Sequence, residues 1–387
     1  MNCYEIETRL GAGVYAKQQL TIVRGSGATL WDEDGNTYID CTSGHGVANF
    51  GHAHPRIAQA IADQANTLVT LFETFPNDKR AALMEKLLSL APGFERVFFC
   101  NSGTESIEAA FKFARLSSGK TGIVAAMRGF HGRTLGSLSA TWNKAYREPF
   151  EPLIPGFKHV PYNNIEALAA AVDENTAAVV LECVQGEGGV FPADPQYLQA
   201  ARALCTEKAV LLIIDEIQTG FGRTGSIFCY QQFGILPDMV CCAKSLAGGL
   251  PMGAVLIGSA LKTLTPGTHG STFGGNPLAC AAGGAALQVL QDENLPQQAR
   301  EKGEYLMARI RAVDSPLIRD VRGMGLMIGI ELKQKVAPYL RALQKRNILA
   351  LNAGMTVIRL LPPLVISYEE LDRVADALEE VLKEPLT

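Results

Sequence analysis

The chain has 387 residues, more than one compact domain usually contains, so its length predicts two or more domains. Its composition, 47% hydrophobic and 19% charged, is typical of a globular protein with a large core. A formal net charge of −4 gives no electrostatic reason to expect a nucleic acid or an anionic membrane as partner. The N-terminus lacks a signal-peptide pattern, and no apolar run approaches the roughly 20 residues that span a bilayer. We therefore expect a cytoplasmic protein.

The cysteines and histidines do not form a pattern typical of disulfides or metal sites. The nine cysteines are scattered, lack any C-x-x-C spacing and lie mostly in apolar runs, which predicts small buried side chains in a reducing compartment. His52 and His54, with His45 nearby, lack a cysteine or carboxylate that would complete a metal site. We expect neither disulfides nor a bound metal. The cysteines are Cys3, Cys41, Cys100, Cys183, Cys205, Cys229, Cys241, Cys242 and Cys280.

The first predicted element is a β-hairpin over 27–41, where apolar and polar residues alternate around Asp34 and Gly35. From about residue 56, helices alternate with short apolar strands, which favours parallel strands with right-handed crossovers. Helices are predicted at 105–116 and 195–208. The predicted strands are 96–100, 121–126, 177–183, 210–215 and 239–244.

After about residue 276 the pattern changes to long helices with isolated strands, "LMIGIEL" and "TVIRLLP". This predicts an α/β fold with a mostly parallel central sheet in a large domain, 51–275, and a smaller α+β domain. Segments 1–50 and 276–387 form the smaller domain, because the hairpin lies outside the alternating core. Ligands of open α/β sheets bind at the carboxyl ends of the strands.

The strand at 96–100 is followed by "NSGTE", which resembles the start of a helix. Ser102 and Glu105 have capping-box spacing, and Gly103 and Thr104 leave backbone N–H groups open at the positive end of the helix. Such a turn can bind a phosphate, although a plain N-cap is the commoner use of the same residues. No G-x-G-x-x-G follows a strand, so a dinucleotide is not expected.

Three further strand ends have side chains that could bind a ligand or take part in a reaction. "GFHGRT" offers Phe130 and His131 as flat side chains that could stack on a planar ligand, or that could simply lie in the core. "VLLIIDE" ends in Asp215 and Glu216, which point to opposite sides of the strand, so only one is expected to meet a cationic group. Lys244 ends an apolar strand, where poor solvation favours its neutral, nucleophilic form.

A phosphate site, a stacking aromatic ring, an amine nucleophile and a buried carboxylate together suit pyridoxal 5′-phosphate (PLP). The PLP aldehyde condenses with a lysine, and its ring nitrogen needs an anionic partner to stay protonated. We expect Lys244 and Asp215 to serve these two roles, and Glu216 to be structural.

The ordered motifs "NSGTE", "GFHGRT", "QGEGG", "DEIQTGFGRTG", "AKSLAGGLPMGA" and "STFGGNPLAC" resemble those of the class III (ω-amino) aminotransferases of PLP fold type I. The resemblance covers nearly the whole chain, and is greatest to acetylornithine aminotransferases and to relatives that act on carrier-linked lysine. It implies that Lys244 forms a Schiff base with PLP and acts as the general base. The other residues that it implies for PLP are Ser102, Gly103 and Thr104 at the phosphate, Phe130 and Ile217 at the ring faces, Asp215 at the ring nitrogen, Gln218 near the phenolic oxygen, and Thr272 at the phosphate of the other subunit.

The resemblance also implies a substrate site and a homodimer with shared active sites. Arg133 and Arg359 bind substrate carboxylates, Glu187 pairs with the second arginine, and Ser271 contacts the acylated substrate. Cys183 stands where the family usually has proline, and His45 occupies a position that varies with substrate. No metal is implied.

The implied reaction is transfer of the terminal amino group of N-acetylornithine, or a similar acylated diamino acid, to 2-oxoglutarate in arginine or lysine biosynthesis. Ornithine, succinylornithine, carrier-linked lysine and 4-aminobutyrate stay open as donors, and an amino-group carrier protein stays open as partner. The alternatives are an aminomutase or decarboxylase on the same fold, and a non-catalytic or hydride-transfer α/β protein. The missing dinucleotide motif and the presence of Lys244 argue against the last of these.

Overall fold

The computed structural model describes residues 2–262 and 264–383. The strands are β1 Ile22–Ser26, β2 Thr29–Asp32, β3 Thr37–Asp40, β4 Phe94–Cys100, β5 Gly122–Ala126, β6 Phe157–Val160, β7 Thr176–Glu182, β8 Val184–Gln185, β9 Phe191–Pro192, β10 Leu211–Asp215, β11 Met239–Cys242, β12 Gly253–Gly258, β13 Ile318–Met324, β14 Met327–Leu332, β15 Ile348–Leu349, β16 Leu351–Ala353 and β17 Val357–Leu360. The α-helices are α1 Cys3–Leu10, α2 Ser43–Gly46, α3 Pro55–Ala65, α4 Asp78–Leu90, α5 Gly103–Ser118, α6 Leu135–Ala140, α7 Lys144–Arg147, α8 Ile165–Ala171, α9 Pro195–Glu207, α10 Pro277–Asp292, α11 Leu295–Arg311, α12 Ala337–Gln344 and α13 Tyr368–Leu382. The 3₁₀ turns are Glu148–Phe150, Cys229–Phe233 and Lys244–Ala247.

Within the described residues, the central sheet has seven strands in the order β4-β12-β11-β10-β7-β5-β6. The pairs β11–β10, β10–β7, β7–β5 and β5–β6 are parallel, whereas β12 runs antiparallel to both of its neighbours. The prediction of a mostly parallel sheet is confirmed. Strands β6 and β12 were not predicted from the sequence, and the strand predicted at 239–244 ends earlier, at Cys242.

The central strands β7, β10 and β11 are almost completely buried, which agrees with their continuous apolar sequences. Helix α5 packs against β11 and β12, and α9 packs against β10. Burial of apolar surface on the sheet stabilises the fold by about 25 cal/mol per Å². This rigid sheet holds the residues at its strand ends in fixed positions.

The predicted hairpin is formed by β2 and β3, and its Asp32 carboxylate accepts hydrogen bonds from the turn residues Asp34 and Asn36. Strand β3 pairs in parallel with β15, so the N-terminal hairpin packs with the C-terminal segment, as predicted. A separate sheet has the order β13-β14-β17-β16. The domain boundaries at residues 51 and 275 stay a prediction.

All nine cysteines are free, and eight of them are buried. His52 Nε2 lies 2.8 Å from Asp40 and His54 Nε2 lies 3.1 Å from Glu293, so each histidine has its own carboxylate partner. Every helix in the described part of the chain is too short or too polar to cross a membrane.

Candidate active site

A cavity of about 470 Å³ opens at the carboxyl ends of the parallel strands, as expected for a ligand site in an α/β sheet. Most residues predicted for the site line this cavity. They are Ser102, Gly103, Thr104, Phe130, Arg133, Glu187, Asp215, Ile217, Gln218 and Lys244.

One end of the cavity is formed by the N-terminus of α5. Ser102 is the N-cap, and its hydroxyl accepts a hydrogen bond from the Glu105 N–H at 3.3 Å. The predicted capping box is only partly present, because the Glu105 carboxylate binds the Asn101 N–H at 2.6 Å instead of the Ser102 N–H. Gly103 packs closely enough that a β-carbon there would lie 2.9 Å from the Ile217 side chain. The sixteen-residue helix thus presents its positive end to the cavity, which suits a phosphate.

Two apolar side chains line the cavity. Phe130 and Ile217 are both half-buried and line it. Phe130 is held by an edge contact with Tyr146, at 6.3 Å between ring centroids. Such walls suit a planar ring.

Asp215 ends β10 and is 4% exposed. Its Oδ2 accepts a hydrogen bond from His131 Nδ1 at 2.8 Å, and its Oδ1 accepts one from the Ile217 N–H at 3.0 Å. His131, considered from the sequence as a stacking ring, instead binds Asp215 through its ring edge. These two N–H donors fix the carboxylate at the cavity, where Asp215 can face a cationic ligand group.

Glu216 points to the opposite side of the strand and is fully buried. Its carboxylate accepts hydrogen bonds from the Thr219 hydroxyl and from the Tyr230 N–H. Burial raises the pKa of Glu216 to about 7, although these hydrogen bonds oppose the shift. The two adjacent carboxyl groups therefore have different environments, and Glu216 has the structural contacts predicted for it.

Lys244 follows β11 by two residues and opens a 3₁₀ turn with a left-handed φ of 48°. Burial lowers the pKa of Lys244 to about 8, with Glu187 opposing and Arg359 adding to the shift. About a tenth of the amine is therefore neutral at pH 7, far more than for a lysine with an ordinary pKa, and the neutral form is the nucleophile that a Schiff base requires. We call Asp215, His131, Lys244 and Glu182 the floor of the site.

We call Arg359, Glu187, His45 and Arg133 the rim. Arg359 is fully buried, and its Nη1 lies 2.6 Å from Glu187 Oε1 and 3.2 Å from the Gln218 side-chain oxygen. Because arginine only donates, His45 Nδ1 accepts the 3.4 Å contact from Arg359 Nη2. Burial acts to raise the pKa of Glu187, but Arg359 and Lys244 outweigh it and leave that pKa below its usual value.

The remaining members of the rim are more open to solvent. Burial and the Arg359 charge lower the pKa of His45, whose side chain is still 61% exposed. Arg133 is exposed, and its guanidinium carbon lies 3.4 Å from the centre of the Tyr146 ring. This cation–π contact orients Arg133 beside the cavity.

Ser271 and Thr272 do not reach the cavity. They line a second cavity of about 310 Å³ on the other side of Asn101, whose side chain donates to the Ser271 hydroxyl at 3.0 Å. Thr272 is exposed. Within one chain these two residues are therefore separate from the other predicted site residues.

Glu182 and the contact of His131 with Asp215 were not predicted from the sequence. Glu182 ends β7 and also lines the cavity. The sequence pattern that could have identified Glu182 is the one that identified Asp215, a carboxylate at the end of an apolar strand. Oxygen or nitrogen atoms of Glu182, Asp215 and His131 lie within 4.8 Å of one another.

These residues fit PLP. The α5 terminus suits its phosphate, Phe130 and Ile217 suit its ring, and the paired Asp215 carboxylate suits a protonated ring nitrogen. Lys244 supplies an amine with a lowered pKa.

Comparison with known proteins agrees with this description. Residues 12–382 match the family model of class III aminotransferases. The chain is 51% identical to a LysW-aminoadipate semialdehyde transaminase of Deinococcus radiodurans, covering 97% of this chain and 89% of the relative. It is 46% identical to an acetylornithine aminotransferase of Methanothermobacter thermautotrophicus, covering 98% of each.

Solved structures are similar as well. An ornithine aminotransferase of Toxoplasma gondii, described with partial occupancy of PLP at its active site, has a TM-score of 0.94 and 34% identity, covering 98% of this chain and 93% of that one. An acetylornithine aminotransferase of Elizabethkingia anophelis has a TM-score of 0.87 at 34% identity, covering 98% of this chain and 97% of that one. The chain belongs to the class III aminotransferases and is a PLP-dependent transaminase with the two-domain α/β architecture of fold type I.

Proposed function

We propose that this enzyme transfers the terminal amino group of an Nα-acylated diamino acid, with N-acetylornithine as the leading donor, to 2-oxoglutarate. The products are a semialdehyde and glutamate, and the place of the reaction is arginine or lysine biosynthesis. The observation that carries this proposal is the ion pair between buried Arg359 and half-buried Glu187, close to Lys244.

The ion pair allows one site to take two different substrates. With Glu187 bound, Arg359 is neutralised, so the amine-bearing end of an ω-amino donor, which carries no carboxylate, can lie beside it. The α-carboxylate of 2-oxoglutarate can displace Glu187 and bind Arg359 as a bidentate anion. Glu187 is 28% exposed and so has room to move, whereas Arg359 is fully buried.

Arg133 gives the other contact. At the rim it can bind the carboxylate at the far end of either substrate, because it is exposed and held in place by Tyr146. An acyl group on the donor removes the positive charge of the α-amine, which would otherwise approach this cation.

Each of the other site residues has a role in binding or proton transfer. PLP supplies an electron sink that stabilises negative charge at the substrate carbon. Ser102, Gly103 and Thr104 would hold its phosphate, Phe130 and Ile217 its ring faces, Gln218 its phenolic oxygen, and Asp215 its ring nitrogen. Lys244 Nζ removes a proton from the terminal carbon of the donor and later returns one to the acceptor carbon.

Carrier-linked lysine is the second candidate donor. It is favoured by the similarity to the Deinococcus radiodurans transaminase named for LysW-aminoadipate semialdehyde. The exposed side chains of His45 and Arg133 also leave the rim open to an acyl group larger than acetyl.

The working enzyme is proposed to be a homodimer with shared active sites. Apolar side chains are exposed in a first segment, residues 68–75, and in a second segment, residues 271–275. Arg80 connects the two segments by donating to the carbonyls of Phe75 at 3.0 Å and Gly275 at 2.8 Å. Thr272 and Ser271 lie in the second segment, outside the cavity of their own chain, which supports a contribution to the PLP phosphate and substrate sites of a partner. The exposed apolar side chains are Leu68, Val69, Phe72, Phe75 and Phe273.

A single-turnover comparison of donors tests the substrate. The purified enzyme is mixed, without keto acid, with N-acetylornithine, succinylornithine, ornithine, 4-aminobutyrate or carrier-linked lysine, and loss of the visible cofactor band is followed. N-acetylornithine is expected to react fastest among the free amino acids, and 2-oxoglutarate to restore the band. Faster reaction of free ornithine or 4-aminobutyrate would reject an acylated donor, and faster reaction of carrier-linked lysine would select the second candidate.

A further inference from the structure

Glu182 is a second carboxyl group in the floor of the site. It ends β7, and Asp215 ends the neighbouring parallel strand β10 as its direct Cα partner. Side chains of such partners point to the same face of a sheet. Both groups line the cavity, where neither belongs to an ion pair with an arginine or lysine in the described part of the chain.

The two carboxyl groups differ in the N–H donors around them. Asp215 takes the N–H donors of His131 and Ile217. Glu182 Oε2 is buried and has no hydrogen-bond partner among the described residues. Two cations lie near this place: Arg359 is engaged with Glu187, and Lys244 lines the same cavity without forming an ion pair with Glu182 or Asp215 in the described part of the chain.

Two carboxyl groups this close in a buried site do not both ionise readily. Burial, together with the negative charges of Asp215 and Glu187, raises the pKa of Glu182 well above its usual value, and the Phe130 N–H and the Lys244 charge oppose this only in part. Both oxygens of Asp215 have N–H donors, whereas Glu182 Oε2 has no partner among the described residues, so the proton belongs on Glu182.

We infer that Glu182 is a positioning residue for the cofactor ring that acts as an uncharged carboxylic acid. Its O–H offers a hydrogen-bond donor to the cavity, and its neutrality leaves Asp215 as the single negative charge at the ring nitrogen. This inference rests on PLP as the cofactor and is independent of the identity of the amino donor.

The test uses a neutral variant of the same shape and an apolar one. Glu182→Gln keeps a hydrogen-bond donor without a charge, whereas Glu182→Leu removes the donor. Glu216→Gln is the matched control, because Glu216 is a buried carboxyl group that points away from the cavity. The cofactor is removed from each purified protein, and the Kd for added PLP and the visible absorbance maximum are measured by titration.

We expect Glu182→Gln and Glu216→Gln to keep the Kd within about threefold of wild type, and Glu182→Leu to weaken binding about tenfold or more. Equal weakening by Gln and Leu would show that the negative charge of Glu182 is needed and would overturn the inference. Wild-type binding by Glu182→Leu would overturn it as well, since the side chain would then position nothing. If Glu182→Leu does not fold, Glu182→Met is measured in its place, and its Kd for PLP is interpreted in the same way. Failure of every donor to react, with these affinities as expected, would reject the proposed substrate alone.

Discussion

The floor and the rim of this active site are built in different ways. Asp215 and Glu182 end central strands and Lys244 lies two residues beyond one, so the sheet fixes their positions. Burial shifts the pKa values of Glu182 and Lys244 in the direction that favours their neutral forms. The rim is assembled from loops and from strand β17, and its Glu187 and His45 are partly exposed. The difference suggests a division of work, in which the floor supplies chemistry common to transaminases and the rim selects the substrates.

The largest effect is expected at the floor. Lys244→Ala should leave the fold intact and reduce kcat by about 10⁴-fold or more, because both nucleophile and general base are lost. Circular dichroism would verify the fold, and glutamate formation would measure turnover. Lys208→Ala is a suitable control, since Lys208 is an exposed lysine paired with the adjacent Glu207. Full turnover by Lys244→Ala would exclude the assigned role.

Asp215→Asn should reduce kcat by about 10²- to 10³-fold, because an amide cannot stabilise a protonated ring nitrogen as a carboxylate does. His131 would still have an oxygen to bind, so the fold should persist. The rate of the donor half-reaction, measured by stopped-flow absorbance, gives the effect. A change below about threefold in this rate would mean that catalysis does not depend on the negative charge of Asp215.

Glu216 is expected to affect the free energy of unfolding and not the rate of catalysis. Its pKa is raised from 4.5 to about 7, so the native state holds a proton that the unfolded state releases between these values. The contribution of Glu216 to stability is therefore fully present below about pH 4.5 and falls by about 3 kcal/mol as the pH rises to 7. Urea unfolding of wild type and Glu216→Gln should show a difference that changes with pH in this direction. A difference independent of pH would contradict the shift.

The sequence predicted individual site residues better than the contacts between them. Asp215 and Lys244 each end an apolar run, a local pattern with a direct physical meaning. The pairing of Arg359 with His45 joins residues 314 positions apart, and no spacing in the sequence indicates it. The same limit applies to His131 and Asp215, which are 84 positions apart. In the fold, the short strands β6 and β12 were missed, and β12 begins and ends with glycine, which weakens a strand pattern.

At the rim, substitutions of the two arginines should affect the two half-reactions differently. Arg359→Lys should raise the KM for 2-oxoglutarate about 10- to 100-fold, because lysine cannot form the bidentate contact, and should change the donor half-reaction little. Arg133→Lys should weaken both half-reactions, since both substrates place a carboxylate at the outer rim. Single-turnover rates against substrate concentration distinguish the two. Equal effects of Arg359→Lys on both half-reactions would remove the basis for a switching ion pair.

The smallest expected effect is that of Glu187, in the rim, on the pKa of Lys244, in the floor. The rate at which PLP loads onto the cofactor-free protein should rise with pH through a midpoint near 8, as Lys244 loses its proton. Glu187 opposes the lowered pKa of Lys244, so Glu187→Gln should move the midpoint to lower pH. Stopped-flow loading at a series of pH values measures both midpoints. A midpoint that moves upward would contradict the electrostatic account.

The central claim is that one protein carries out both halves of an amino transfer. N-acetylornithine labelled with ¹⁵N at its terminal amine and unlabelled 2-oxoglutarate would be incubated with the enzyme, and the glutamate analysed by mass spectrometry. The account predicts that ¹⁵N appears in glutamate in equal amount to the semialdehyde formed, with sustained turnover only when 2-oxoglutarate is present. Sustained turnover without 2-oxoglutarate, or glutamate without the label, would contradict it.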